Sequence, residues 1–147
     1  MRLVVAGDGR ARPQVEAAAG RGVELLGRVD GTTLRDLYRR CRALVFPGEE
    51  DFGIVPVEAQ ACGAPVIGRR IGGILDSVVD GVTGVLYDAT GADDEVGALR
   101  RTMTGFRPEA YDSALIRRHA ESFSVDAFTR RMADLVARLL PQVPEVQ

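Results

Sequence analysis

A chain of 147 residues, 46% hydrophobic and 27% charged, is long enough to bury one core and too short for two domains of ordinary size. Its formal net charge of −2, spread over interspersed acids and bases, excludes a basic nucleic-acid surface, and no apolar run is long enough to span a membrane. All 19 basic residues are arginine, a bias that reflects genome composition. In chain order, short β-like runs fall at Leu3–Ala6, Val23–Leu26, Ala43–Phe46, Pro65–Gly68 and Gly84–Tyr87, each bounded by glycine, proline or charge. Helical patterns lie between them. Pro13 and Pro56 suit first helical positions, where a missing N–H costs nothing. Leu34, Leu37, Tyr38 and Cys41 repeat at helical spacing behind Thr33 and Asp36, which read as a cap. After the last strand the pattern is helical throughout, over Asp93–Met103, Pro108–Ala120 and Val125–Leu140. Ser124 caps the final helix, whose apolar stripe is Val125, Phe128, Met132, Leu135 and Leu139. The tail after Pro141 reads as frayed.

Near-continuous apolar strands alternating with helices predict an α/β domain over residues 1–140, built on a doubly wound parallel sheet with a helical C-terminal segment. Ligands of such sheets bind beyond the carboxyl ends of the strands. Five loops are therefore of interest: Gly7–Arg10, Gly27–Gly31, Pro47–Gly53, Arg69–Gly73 and Asp88–Gly91. Met1-Arg2 runs directly into a strand with no signal-peptide pattern, and Cys41 and Cys62 lack a CxxC partner. Buried thiols in a reducing compartment are expected, which places the chain in the cytoplasm, free or at the cytoplasmic face of a membrane.

The first loop, AGDGRARP, carries Gly7-x-Gly9 after a strand, as a dinucleotide fingerprint does. Arg12 stands where the third glycine belongs, and no acid ends the second strand, which argues against a nicotinamide enzyme. Gly7 and Gly9 then serve either a tight turn or a turn whose backbone meets a ligand. The only histidine, His119, lies in a late amphipathic helix, where a structural role is expected.

The stretch PGEEDFGIVPVEAQACGAPVI is more specific, because it places Glu50 in a loop and Glu58 eight residues later inside a helix. Phe52-Gly53-Ile54 leads into that helix, whose first turn is expected to hold Pro56 and Glu58, so that its N–H groups form an anion site. Read singly, Glu58 could also serve as a first-turn acid that stabilises the helix, and Glu50 as a solvated loop acid.

Taken together, the segment resembles the EX7E motif of retaining nucleotide-sugar glycosyltransferases of the GT-B fold, the group 1 or family 4 enzymes. VVAGDGR, VELLGRVDGTTLRDLYRRCRALVFPGEEDFG, GGILDSVVDGVTGVLYD and HAESFSVDAF follow in the order of that family's C-terminal, donor-binding domain. The resemblance implies retaining transfer of a sugar from a nucleotide diphosphate, with no metal and no other cofactor. Glu50 would be the catalytic candidate, meeting donor-sugar hydroxyls, and Glu58 would take the ribose hydroxyls. The amides of Phe52, Gly53 and Ile54 would meet the diphosphate and sugar. Gly7 and Gly9 join this set as the first turn, Gly27, Arg28 and Val29 would line the base, and Gly72 and Gly73 would let backbone approach the donor.

The same resemblance implies an N-terminal acceptor domain as partner, in cis or in trans, and an opening strand of this domain that would precede Met1, so that the chain alone is expected to be inactive. Arg69 and Arg70 replace smaller residues of the family pattern and could supply positive charge to the donor; Asp76 replaces a longer acid. The alternatives are a non-catalytic nucleotide-sugar binding module, an inactive gene fragment, and an epimerase fragment of the same fold. A glycosidase pair fits poorly, since a phosphate-binding turn separates the two acids. Part of the last helix's apolar stripe would lack a partner here, giving weak self-association.

Overall fold

The computed structural model describes residues 2–140, apart from the side chains of residues 92 and 93. The tail expected to fray lies outside the described residues. The chain divides into two compact units, Met1–Leu37 and Tyr38–Gln147, and the division falls within a helix.

In the first unit β1 (Leu3–Ala6) leads through α1 (Arg12–Ala18) to β2 (Val23–Gly27), and the two strands pair in parallel with a register shift between Val5 and Ala6. The amide of Gly7 donates to the carbonyl of Gly27 at 2.7 Å, carrying the ladder one step past the strands. Pro13 falls at the second position of α1, where its missing N–H breaks no helical bond. The helix α2 (Gly31–Arg40) starts two residues before Thr33, because Asp30, not Thr33, caps it: its Oδ1 accepts from the amide of Thr33 at 2.7 Å.

The second unit holds β3 (Leu44–Phe46), α3 (Ile54–Ala61), β4 (Val66–Arg69), α4 (Ile74–Ser77) and β5 (Gly84–Tyr87), followed by α5 (Ala92–Gly105), a 3₁₀ turn at Pro108–Ala110, α6 (Ser113–Glu121) and α7 (Val125–Leu139). The strands form a parallel sheet in the order β3-β4-β5. Its two faces follow from strand alternation. Leu44, Phe46, Val66 and Leu86 pack with Ile74 and Val78, while Val45, Ile67, Val85 and Tyr87 pack with Ala98, Leu99 and Met103 of α5. Both faces are therefore covered, which is why these strands read as unbroken apolar runs. The expected α/β class with parallel strands holds, but the five strands form a pair and a triplet rather than one sheet.

The predicted helix over Pro108–Ala120 is broken. Asp112 is the N-cap of α6 and accepts at Oδ1 from the amides of Ala114 (2.7 Å) and Leu115 (3.2 Å), which requires an extended residue where a continuous helix would pass. Ser124 caps α7 as expected, accepting from Ala127 at 3.2 Å. All five stripe residues of α7 are exposed, from Met132 at 43% to Val125 at 79%. No helix among the described residues is long and apolar enough to cross a membrane.

Candidate functional site

Chain chemistry at the start of α3 governs the site. Gly53 precedes the helix at φ 79°, ψ 59°, a left-handed conformation that costs any residue with a Cβ about 1–2 kcal/mol. From there the backbone turns directly into Ile54 and Val55, whose N–H groups precede the first intrahelical bond, from Val57 to Gly53 at 3.5 Å. Pro56 occupies the third position, where no N–H is needed. No described side chain caps this end, so amides and the positive helix pole are left to face an anion. The helix begins early enough that Glu58 is its fifth residue rather than its third, and the first turn holds no acid. A capping role therefore does not explain Glu58.

Tyr38 does bear on it. This side chain is buried, and its hydroxyl donates to Oε2 of the exposed Glu58 at 3.5 Å. Burial and then the Glu58 charge push the tyrosine up to about 12, so it stays a neutral donor at any physiological pH. One carboxylate oxygen is thus oriented by protein. Sequence reading missed Tyr38 because it sits on the apolar stripe of α2; the clue was that a buried tyrosine hydroxyl seeks a partner.

Gly72 and Gly73 meet the loop that carries Glu50. The amide of Gly73 donates to the Glu50 carbonyl at 2.7 Å. A Cβ on Gly73 would lie 2.3 Å from the Asp51 carbonyl oxygen and 2.5 Å from Phe52 Cα, and one on Gly72 would lie 2.7 Å from the Glu50 oxygen. The glycine pair thus lets two loops of main chain touch, bringing Glu50, Phe52, Gly53, Ile54, Gly72 and Gly73 together, with Glu58 a turn further along α3. Glu50 and Phe52 are exposed.

Gly7, Gly9 and Gly27 come together within the first unit. They line a cavity of about 180 Å³ with Val5, Asp8, Ala11, Arg12, Val15 and Leu25. Arg12 pairs with Glu16 at 2.7 Å and Asp8 at 3.8 Å and lays its guanidinium over Gly27, a use of that position the fingerprint comparison could not show. Arg28 and Val29 follow in the loop after β2.

Arg69 and Arg70 have protein partners. Arg69 pairs with Glu95 at 3.5 Å; Arg70 reaches Asp80 at 2.5 Å, Asp88 at 3.3 Å and the Leu86 carbonyl at 3.1 Å. Arg69 ties the end of β4 to α5, and Arg70 ties it to β5 and the turns on either side of that strand, so both have protein partners. Burial pushes the Asp80 carboxyl up, but hydrogen bonds from Arg70 and the Leu86 amide more than offset it, so its net shift is downward. A depressed folded value stabilises the protein above the ordinary carboxylate value and is lost as the pH falls through the folded one. Asp80→Asn should cost about 1 kcal/mol at pH 7, allowing for solvent screening, and should flatten the decline of stability below about pH 4 in acid titrations followed by circular dichroism. An unchanged acid limb would show that Asp80 carries no such linkage.

His119 has the structural partner expected of it: its Nε2 lies 3.2 Å from the Ser77 carbonyl. The cysteines depart from expectation, since both are free but Cys41 is exposed and Cys62 half-buried; Cys41 directly follows α2 at the surface, with its thiol against the Tyr38 carbonyl at 3.2 Å. Among the described residues, no group of three or more His, Cys, Asp or Glu side chains is placed to hold a metal ion.

Residues 1–104 match the model of a family described as glycosyl transferases group 1. The chain is 37% identical over 125 residues to D-inositol 3-phosphate glycosyltransferase of Rhodococcus erythropolis, covering 80% of this chain and 28% of that protein. It is 38% identical over 137 residues to the protein of the same name from Kribbella flavida, covering 83% and 32%. The chain thus spans about a third of these relatives' length. Among solved structures, sucrose-phosphate synthase from Thermosynechococcus elongatus superposes with a TM-score of 0.70 at 26% identity, over 96% of this chain and 38% of that one. Anabaena HepE in complex with UDP-glucose superposes with a TM-score of 0.69 at 22% identity, over 94% and 41%.

Proposed function

The chain belongs to the glycosyl transferases group 1 family, and from that premise we propose that it supplies the donor-binding half of a retaining glycosyltransferase that uses a nucleotide-diphospho-sugar. The observation that carries the reading is the uncapped start of α3: a left-handed Gly53 followed by two amides at the positive end of a helix, with the exposed Glu50 before it in the chain and the exposed Glu58 after it. When the bond between the anomeric carbon and the diphosphate oxygen breaks, negative charge grows on the leaving phosphate. Amides fixed by the fold stabilise that charge without reorganising. The backbone of Phe52, Gly53 and Ile54 takes the diphosphate in this reading, Glu50 takes hydroxyls of the sugar near the reacting carbon, and Glu58, held by Tyr38, takes the ribose. Gly72 and Gly73 act by holding the Glu50 loop against α4. An acceptor domain, in cis or in trans, completes the enzyme, and the exposed stripe of α7 gives weak self-association in its absence.

The test is thermal unfolding of this chain with UDP-glucose, UDP, GDP and ADP. UDP-glucose comes first because the Anabaena protein was solved with it. A ligand at 100 times its Kd should add about 2.7 kcal/mol of stability. Glu58→Ala should abolish the gain, and Glu58→Gln, which still accepts from Tyr38, should lose most of it. No stabilisation by any of the four would overturn the proposal.

A further inference from the structure

The amides at the start of α3 can serve an anion only if the turn before them is held still, and the residues doing so lie on α3, α4 and α6. Ser77, the last residue of α4, is fully buried. Its carbonyl accepts from Gln60 Nε2 at 2.8 Å and is met by His119 Nε2 at 3.2 Å. A carbonyl can only accept, so the imidazole carries its hydrogen on Nε2. Gln60, also fully buried, uses its second amide hydrogen on the Pro56 carbonyl at 3.2 Å, tying the first turn of α3 to the end of α4. On the other side of Ser77, the hydroxyl lies 3.5 Å from where a Cβ on Gly53 would stand, and it has no hydrogen-bond partner among the described residues. The same histidine meets Phe123 edge to face, with centroids 5.4 Å apart, and Phe123 meets Phe52 likewise at 6.0 Å. Gly53 is thus bounded from beneath by Ser77 and from its preceding residue by an aromatic relay, and both lines converge on His119.

We infer that His119, acting through the Ser77 carbonyl and through Phe123, is a positioning residue that sets the Phe52–Gly53 turn and with it the direction of the first amides of α3. The inference rests on the proposed anion-binding role of those amides, but its geometric half stands without a ligand. Hydrogen bonds and ring contacts reach the turn from opposite sides, so loosening either lets Gly53 leave its left-handed conformation.

Two measurements on this chain separate the possibilities. The first is the amide spectrum of ¹⁵N-labelled protein without ligand, well below the melting temperature. His119→Leu should shift or broaden the resonances of Phe52, Gly53, Ile54 and Val55, and His119→Gln, whose Nε2 can reach the same carbonyl but which lacks the ring that meets Phe123, should restore them only in part. The second is UDP affinity by calorimetry, expected to fall about tenfold in His119→Leu, as for loss of one well-placed hydrogen bond, and to recover only in part in His119→Gln, which keeps the hydrogen bond but not the ring. Should His119→Leu fail to fold, Phe123→Leu tests the aromatic arm with the same readouts. Unchanged resonances at residues 52–55 in a folded variant, with only a lower melting temperature, would reduce His119 to a core residue and overturn the inference. Perturbed resonances with no UDP binding by the wild type would uphold the positioning role and remove the functional reading beneath it.

Discussion

Gly73→Ala is expected to cost about 3 kcal/mol, and roughly 10 °C in melting temperature, although it adds one methyl group at a residue of ordinary conformation. Gly73 sits at φ −64°, ψ −12°, where alanine is at ease, so no dihedral penalty enters. The cost is steric. The new Cβ would stand 2.3 Å from the Asp51 oxygen and 2.5 Å from Asp51 C and Phe52 Cα, all main-chain atoms that no rotamer change can move aside. Either the Glu50–Phe52 loop retreats, losing the bond from Gly73 to Glu50, or α4 does, pulling Ser77 from beneath Gly53. Gly105→Ala provides the matching control. Gly105 ends α5 with open space around its would-be Cβ, and alanine there should stabilise by about 0.5 kcal/mol through a less flexible unfolded chain. Chemical denaturation of the two variants should therefore move in opposite directions. Equal and small shifts would mean that the two loops are not in the contact described.

That contact marks the limit of what could be read from the residues. Strand positions were legible because apolar runs between glycine, proline and charge allow little else, and Gly84–Tyr87 came out to the residue. The Ser124 cap was equally plain. Glu50 and Glu58 drew notice by their spacing, yet the reason Glu58 is not a cap lies in the early start of α3, which depends on a left-handed Gly53 that sequence cannot show. Tertiary pairing was the illegible part. Glycine next to glycine at positions 72 and 73 reads as freedom for a ligand to approach, and only coordinates show another loop already in contact. Arg69 and Arg70 read as free positive charge for the same reason: Asp80, Asp88 and Glu95 lie 10 to 26 residues away along the chain. The break before α6 was written in Asp112, but a helical run on both sides masked it.

A second contact of the same kind joins the sheet to the site, and it can be tested by a double-mutant cycle. Gly68 of β4 leaves room for Ile74, the first residue of α4, which is 1% exposed: a Cβ on Gly68 would stand 2.1 Å from Ile74 Cδ1. The remaining neighbours of that Cβ are at 3.4 Å and beyond. Ile74→Val removes Cδ1 and little else, and alone should cost about 1 kcal/mol as a small cavity. Gly68→Ala alone should cost about 3 kcal/mol through overpacking, because Ile74 has Val66, Val78 and Leu86 around it and cannot swing aside freely. Combined, the valine vacates the space the alanine methyl needs, so the double variant should be at least about 1 kcal/mol more stable than the two losses predict together. The coupling should extend to the ligand. By displacing α4, Gly68→Ala moves Gly73 and Ser77 relative to the start of α3, so it should weaken UDP-glucose binding as well as stability, and Ile74→Val should restore both. Additive losses, or a restored stability without restored binding, would separate the packing of α4 from the geometry of the site.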